Sequence, residues 1–115
     1  MIAGVYNISC EQGASFQRVF TLTNPDGTAY DLSDFSARMQ VRRDFDATTP
    51  LISLTVANGR IAVYPEFGEI HINLTSADTA SLNKNGVYDL EIFTDDGTVH
   101  RVLKGAFKID REVTK

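Results

Sequence analysis

Cys10, His71 and His100 are the residues best suited to chemistry, since they are the only cysteine and the two histidines of the 115-residue chain. A thiol next to an imidazole can act as a nucleophile, and residues distant in sequence can meet in a fold. No third group that would orient the imidazole and no oxyanion loop can be named, so the sequence predicts no catalytic site and no enzyme. Both histidines fall at polar positions of alternating segments, which predicts solvent-facing side chains on a sheet.

The acidic segment Asp95-Asp96-Gly97, with Asp89 and Glu91 nearby, offers oxygen ligands of the kind that a cation uses. Its spacing does not match the calcium-binding loop, and Asp and Gly at these positions are typical of a hairpin tip. Zinc needs about four closely spaced ligands, which the sequence does not contain. No glycine-rich loop precedes a helix to hold a phosphate. The sequence therefore predicts neither a metal site nor a cofactor.

The composition argues against several classes of partner. With 11 basic and 15 acidic residues, the net charge of −4 gives no electrostatic support to nucleic-acid binding. Arg38, Arg42 and Arg43 form a basic cluster, but aspartates flank it, which predicts a solvated mixed face. No apolar run approaches the ~18 residues of a membrane span, and the N-terminus has no signal-peptide pattern. The single cysteine allows no intrachain disulfide, which favours synthesis in a reducing cytoplasm.

Short segments of alternating polarity recur along the chain, and a turn signal follows almost every one. The predicted strands are residues 5–10, 16–23, 36–43, 51–56, 60–64, 69–74, 87–94 and 98–109. Asn58-Gly59 is typical of a type I′ turn and predicts a hairpin between the fourth and fifth of these strands. One short helical turn is predicted over residues 76–82, with Ser76 as its cap.

These elements predict an all-β fold. Half-polar strands are typical of antiparallel sheets with one wet face. Their number and spacing fit a single domain, residues 1–115, built as a two-sheet antiparallel immunoglobulin-like β-sandwich with a short helical turn near 76–82. Leu82, Gly86 and Tyr88 resemble the tyrosine corner of such sandwiches, in which the tyrosine hydroxyl bonds back across the corner. The alternative for Tyr88 is a core tyrosine at the start of a strand.

Four apolar residues stand where a turn or a solvent-facing row predicts polar ones. Phe45 lies in a loop between two aspartates, and Phe67 lies in a turn between Glu and Gly. Phe93 falls on the acidic row of its strand, with Val102 as its expected cross-strand neighbour. A lone phenylalanine of this kind commonly folds back on the core, but several together are typical of anchors for protein contacts. Phe45, Phe67, Phe93 and Val102 are therefore the predicted protein-contact residues.

A series of short motifs runs along nearly the whole chain. In order they are Gln12-Gly13-Ala14-Ser15-Phe16, Asn24-Pro25-Asp26-Gly27, Asp31-Leu32-Ser33, Ala37-Arg38-Met39-Gln40-Val41-Arg42, Asn58-Gly59-Arg60-Ile61, Gly68-Glu69-Ile70, Tyr88-Asp89-Leu90-Glu91, Asp96-Gly97, Arg101-Val102-Leu103-Lys104-Gly105 and Glu112-Val113-Thr114. Their order resembles that of small tailed-bacteriophage virion proteins, and it is also similar to the β-sandwich domain at the N-terminus of phage baseplate upper proteins. The motifs are mostly turns and core rows, so the resemblance lies in their order and not in site chemistry.

The resemblance implies a non-enzymatic structural component of a virus particle that is made and assembled in the bacterial cytoplasm. Its partners would be other virion proteins, contacted by several copies in a symmetric assembly. Baseplate upper proteins continue into a long fibre, whereas this chain stops just after Thr114, so an adaptor, decoration or neck-and-tail accessory role is expected at least as strongly as a receptor-binding one. The predicted role is that of a tail, baseplate, neck or capsid accessory module. The alternatives are a receptor- or carbohydrate-binding sandwich at a tail fibre tip and a cytoplasmic β-sandwich that assists an enzyme.

Overall fold

The computed structural model describes residues 4–114, and most of its regular structure is β. Its strands are β1 (Gly4–Val5), β2 (Ile8–Glu11), β3 (Phe16–Thr21), β4 (Ser36–Arg42), β5 (Ile52–Thr55), β6 (Ile61–Tyr64), β7 (Glu69–Leu74), β8 (Gly86–Phe93) and β9 (Val99–Asp110). A 3-10 turn, η1 (Pro65–Phe67), follows β6, and a short helix, α1 (Ser76–Ala80), follows β7. Every predicted strand is confirmed, although the first is divided into β1 and β2.

The strands form two sheets that share one core. The larger sheet has the order β1-β9-β8-β4-β5, with β2 also paired to β9, and the smaller sheet has the order β3-β7-β6. Met39 and Leu90 from the larger sheet and Ile70 and Ile72 from the smaller sheet are all at most 2% exposed and belong to one buried cluster. The alternating rows of the sequence supply these inward side chains. The predicted mostly-β, two-sheet organisation is confirmed.

The purely antiparallel sheet predicted from the sequence is wrong. Both β1 and β2 pair with β9 in parallel, with Gly4 opposite Leu103 and Ile8 opposite Phe107. A short strand with one buried row has the same alternating pattern in either pairing, so its polarity does not reveal its direction. The larger sheet is therefore mixed.

Tyr88 connects the break between β1 and β2 to the core. Its hydroxyl donates to the carbonyl of Tyr6 at 2.5 Å, and its side chain is only 4% exposed. Gly105 lies opposite Tyr88. A Cβ atom at position 105 would lie 2.3 Å from the Tyr6 carbonyl oxygen, so any side chain at this position would displace the Tyr6 carbonyl. The hydroxyl thus does not bond across its own corner, and the tyrosine-corner prediction is wrong, whereas the core-tyrosine alternative is confirmed.

The predicted hairpin at Asn58-Gly59 is also wrong. The strands on either side belong to different sheets, because β5 pairs with β4 and β6 pairs with β7. Gly59 has a φ of +79°, but no described residue other than glycine has a positive φ, so a type I′ turn is not formed. Asn58 instead uses its side-chain oxygen to accept from the N–H groups of Thr55 and Arg60, at 3.0 and 3.1 Å.

The N-cap of helix α1 lies one residue before the predicted one. The N-cap is Thr75 rather than Ser76, and Thr75 and Asp78 form a reciprocal capping box. Arg60 donates to Asp78 at 2.9 Å. The Arg60 guanidinium and the Thr75 N–H outweigh partial burial and lower the pKa of Asp78 to about 2. These contacts attach the helix to the chain that connects β5 and β6.

Candidate functional site

The residues with nucleophilic or ligating chemistry do not form a site in the described structure. Cys10 is 1% exposed, and burial raises the pKa of its thiol. His71 lies on the outer face of the smaller sheet, where it bonds to Glu69 at 3.0 Å. His100 lies opposite the buried Ile92 and is half-buried, so the solvent-facing position predicted for it is wrong.

The acidic segment between β8 and β9 is the tip of a hairpin, as predicted. The N–H of Gly97 donates to the Thr94 carbonyl, Gly97 has a φ of +95°, and Asp96 accepts from the Thr98 N–H at 3.1 Å. The Thr94 hydroxyl also donates to Asp96, and this bond, together with the bond from the Thr98 N–H, lowers the pKa of the Asp96 carboxyl. Within residues 4–114, no group of three or more Cys, His, Asp or Glu residues is arranged to hold a metal ion. The same residues contain no helix that is long and apolar enough to cross a membrane.

The four predicted contact residues fall into three different environments. Phe45 is 86% exposed, and Phe67 is 60% exposed. Phe93 is half-buried on the outer face of the larger sheet, where the Arg38 guanidinium lies 4.6 Å from its ring centroid. Val102 is 5% exposed and belongs to the core. Phe45 and Phe67 are therefore accessible to solvent, Phe93 is partly covered, and Val102 is buried in the core.

Val102 is buried because β9 contains a bulge. Leu90 lies opposite Leu103 and Glu91 lies opposite Arg101, so Val102 is the extra residue between them. A bulge reverses the alternation of faces along one strand. Val99, and not Val102, lies opposite Phe93, so the predicted cross-strand pair of Phe93 and Val102 is wrong.

The outer face of the larger sheet carries a shallow groove of about 530 Å³, here called the large-sheet groove. The side chains that define it are those of Arg38, Gln40, Arg42, Phe45, Asp89, Glu91, Arg101 and Lys104. They come from neighbouring strands in register, since Arg38 lies opposite Glu91 and Gln40 lies opposite Asp89. The groove therefore follows directly from the outward rows of β4, β8 and β9.

Charges in the large-sheet groove are only partly paired. Arg38 bonds to Glu91 at 2.9 Å, and Arg101 lies 3.7 Å from Asp89. Burial raises the pKa of the Asp89 carboxyl, and the Glu91 charge adds to that effect, while the surrounding arginines lower it. Arg42 bonds to an amide and a carbonyl instead of a carboxylate. The groove thus presents donors and acceptors side by side to a ligand.

Phe45 lines one end of the large-sheet groove on a structured turn. Asp44 accepts from the Asp46 N–H at 3.0 Å, and the Arg42 guanidinium donates to the Ala47 carbonyl at 2.5 Å. These bonds hold the loop on both sides of the ring. Less backbone entropy is then lost when a partner covers the ring, because the loop is already ordered.

The sequence alone did not identify the groove. Arg38 and Arg42 were predicted to form only a solvated mixed face, because the acidic residues nearest in sequence screen them. The acidic residues that matter lie on β8, about 50 residues later. The alternation of polar residues in both strands was the signal, but the register between β4 and β8 was needed to read it.

Phe67 belongs to a second surface, on the side of the smaller sheet. It follows β6, whose exposed Tyr64 packs against His71 with ring centroids 4.3 Å apart. Val19, on the neighbouring strand β3, is opposite His71 and 50% exposed. Phe45 lines the large-sheet groove, whereas Phe67 does not.

No protein-family model and no curated protein matches this chain.

Proposed function

We propose that this protein is a non-enzymatic structural component of a bacteriophage virion that binds other virion proteins. The resemblance in motif order supports the proposal at the level of protein class. The single structural observation that supports a binding site is the exposure of Phe45. Its side chain is 86% exposed on a hydrogen-bonded turn and lines the large-sheet groove. Burying a phenylalanine is worth about 1.5–3 kcal/mol relative to leaving it exposed. A partner that covers the Phe45 ring would gain this free energy on binding.

We further propose that the two sheets form an immunoglobulin-like sandwich. If β3 to β9 are taken as strands B, C, C′, D, E, F and G, the larger sheet contains the order G-F-C-C′ and the smaller sheet has the order B-E-D. This agrees with the variable type of that fold without its C″ strand. Such a sandwich presents the outer face of its larger sheet as a rigid platform.

The proposed location is the tail, baseplate, neck or another accessory position of the particle, after synthesis and assembly in the host cytoplasm. Several copies in a symmetric assembly would each make the same contact through the large-sheet groove. Weak individual contacts then add, because linked copies bind at high effective concentration. The groove carries alternating hydrogen-bond donors and acceptors, such as Arg38 beside Glu91. The partner surface that fits it would be polar, with an apolar pocket that receives the Phe45 ring.

A second candidate function is carbohydrate or receptor binding at a fibre tip. A groove of about 530 Å³ with mixed charges and an aromatic residue at its end favours this alternative. A glycan array probed with the purified protein distinguishes the two. Binding to a glycan that is lost in an Asp89→Asn variant would favour the receptor role, whereas an array without specific binding agrees with the structural role.

Deletion of the coding sequence from the phage genome tests the proposed function. We expect loss of infectious particles, with recovery when the wild-type protein is supplied from a plasmid. Variants Cys10→Ala and His100→Ala, if stably folded, should restore assembly as well as the wild type does, because the proposal assigns them no chemistry. Normal particle yield after the deletion would contradict the proposal. Failure of a stably folded Cys10→Ala variant would instead favour an enzyme or ligand-binding role.

A further inference from the structure

Strand β3 is an open edge of the smaller sheet. It pairs only with β7. The hydrogen bond from the Leu22 N–H to the Gly68 carbonyl shows that the even-numbered residues of β3 are the ones that bond to β7. In an antiparallel pair, alternate residues bond to the neighbour while those between them point away from it. Gln17, Val19 and Thr21 therefore direct their N–H and C=O groups outward, and no hydrogen bond to these groups is found within the described part of the chain.

The edges at β5 and β6 are better protected than the edge at β3. At β5, the Ser53 carbonyl accepts from the side chains of Asn58 and Arg60, at 3.0 and 2.9 Å, and the Thr55 N–H donates to Asn58 at 3.0 Å. Strand β6 has four residues and runs into Pro65, which has no N–H. Natural proteins commonly protect edge strands in these ways. The six-residue β3 lacks such protection.

The side chains along β3 favour contact with another strand. Gln17, Val19 and Thr21 are exposed and uncharged, in a chain with a net charge of −4. Beside them, Tyr6 is 41% exposed and packs edge-on against Phe20, with ring centroids 5.5 Å apart. Monomeric proteins typically place lysine or proline at such outward positions, and β3 has neither there.

We propose that β3 pairs with β3 of a second copy of this chain, antiparallel, about a two-fold axis through Val19. This register places Val19 opposite Val19 and Gln17 opposite Thr21, and it forms about six main-chain hydrogen bonds, two for each outward pair. Arg18 then lies opposite Phe20 of the second copy, so no two like charges face each other. The edge is thus complementary to itself, as a symmetric dimer interface requires.

The proposal is independent of the virion role, since it rests on the β3 edge and not on the large-sheet groove. The two faces lie on different sheets, so the dimer leaves the groove and Phe45 accessible. A dimer with two grooves would give the assembly a bivalent component. Failure of the dimer would leave the proposed function of the groove unaffected.

Sedimentation velocity over about 1–500 µM protein tests the association. We expect the wild-type mass to rise from 12.7 kDa towards twice that value. Val19→Lys places two ammonium groups at the axis and should keep the protein at the monomer mass over the same range. Val56→Lys is the matched control, because Val56 is 44% exposed in a turn, and it should associate like the wild type. A wild-type protein that remains monomeric, or a Val19→Lys protein that dimerises equally well, would overturn the proposal.

Cross-linking tests the register. Residues in a hydrogen-bonded antiparallel pair have Cα atoms about 5.5 Å apart, which is within the span of a disulfide. Val19→Cys should therefore form a covalent dimer under mild oxidation. In Gln17→Cys the two thiols belong to residues about 14 Å apart along the strands, so this variant should associate without forming a covalent dimer. The native Cys10 is 1% exposed and does not compete. Thermal melting verifies that both variants are folded, and preferential cross-linking of Gln17→Cys would refute the axis at Val19.

Discussion

Truncation of Phe45 to alanine separates a contact residue from a core residue. The ring is 86% exposed, so its removal deletes little buried area, and we expect the free energy of unfolding to change by less than about 0.5 kcal/mol. An aromatic anchor at the centre of an interface typically costs about 2 kcal/mol or more when truncated. That loss corresponds to binding weakened by roughly 30-fold, since about 1.4 kcal/mol is a factor of ten.

The assay is competition for places in the particle. Wild-type and Phe45→Ala proteins are expressed together during infection, and their ratio in purified particles is compared with their ratio in the cell. Phe107→Ala is the control, because Phe107 is 1% exposed and its truncation should cost about 3–5 kcal/mol of folding stability. We expect Phe45→Ala to melt like the wild type but to be depleted from particles. Equal incorporation, or a melting temperature that falls as it does for Phe107→Ala, would refute the assignment of Phe45 to an interface.

Three further predictions concern stability. Tyr88→Phe should destabilise the fold by about 0.5–1.5 kcal/mol, because it removes the bond to the Tyr6 carbonyl, and Gly105→Ala should destabilise it too, because a Cβ there meets that carbonyl. Asp78 has a folded pKa of about 2 against an ordinary 3.8, so its stabilising effect is present above about pH 4 and is lost as the pH falls through 2. Asp78→Asn should therefore cost about 1 kcal/mol at pH 6, with the solvent screening of this surface carboxylate allowed for, and almost nothing near pH 2. Val102→Asp should unfold the protein at moderate temperature, because it buries a charge in the core.

Chemical denaturation measures all three. A Tyr88→Phe protein as stable as the wild type would mean that the Tyr6 carbonyl finds another partner. A difference between wild type and Asp78→Asn that stays constant from pH 6 to pH 2 would contradict the capping role of Asp78. A Val102→Asp protein with unchanged stability would return Val102 to the surface and contradict the bulge in β9.

The strands could be predicted from the sequence because each has one buried row. In β4, Ala37, Met39 and Val41 alternate with polar residues, and the structure buries all three. This alternation is a local property of the chain, so it needs no knowledge of which strands are neighbours. The position of Phe45 in a loop between two aspartates was likewise a local signal, and the structure leaves its ring exposed.

The errors arose where pairing between distant segments decides the outcome. The bulge in β9, opposite Leu90 and Glu91, reverses which residues of the strand face the core. As a result Val102 is buried and His100 faces inward. Asn58-Gly59 has the composition of a hairpin turn, but the Asn58 side chain accepts a hydrogen bond from the Thr55 N–H. The chain then passes to the other sheet, where β6 pairs with β7. Local composition does not distinguish these cases, because both depend on the partner strand.

Quantitative mass spectrometry of gradient-purified particles tests the central claim most directly. The proposed function requires that a phage genome encodes this chain, so particles are purified from that phage. The peptides of the chain are then measured relative to the major capsid and tail proteins in successive density fractions. We predict that the chain is present at a constant ratio to those proteins in every particle-containing fraction. Abundant protein in the infected-cell lysate, with none in the purified particles, would contradict a structural role in the virion.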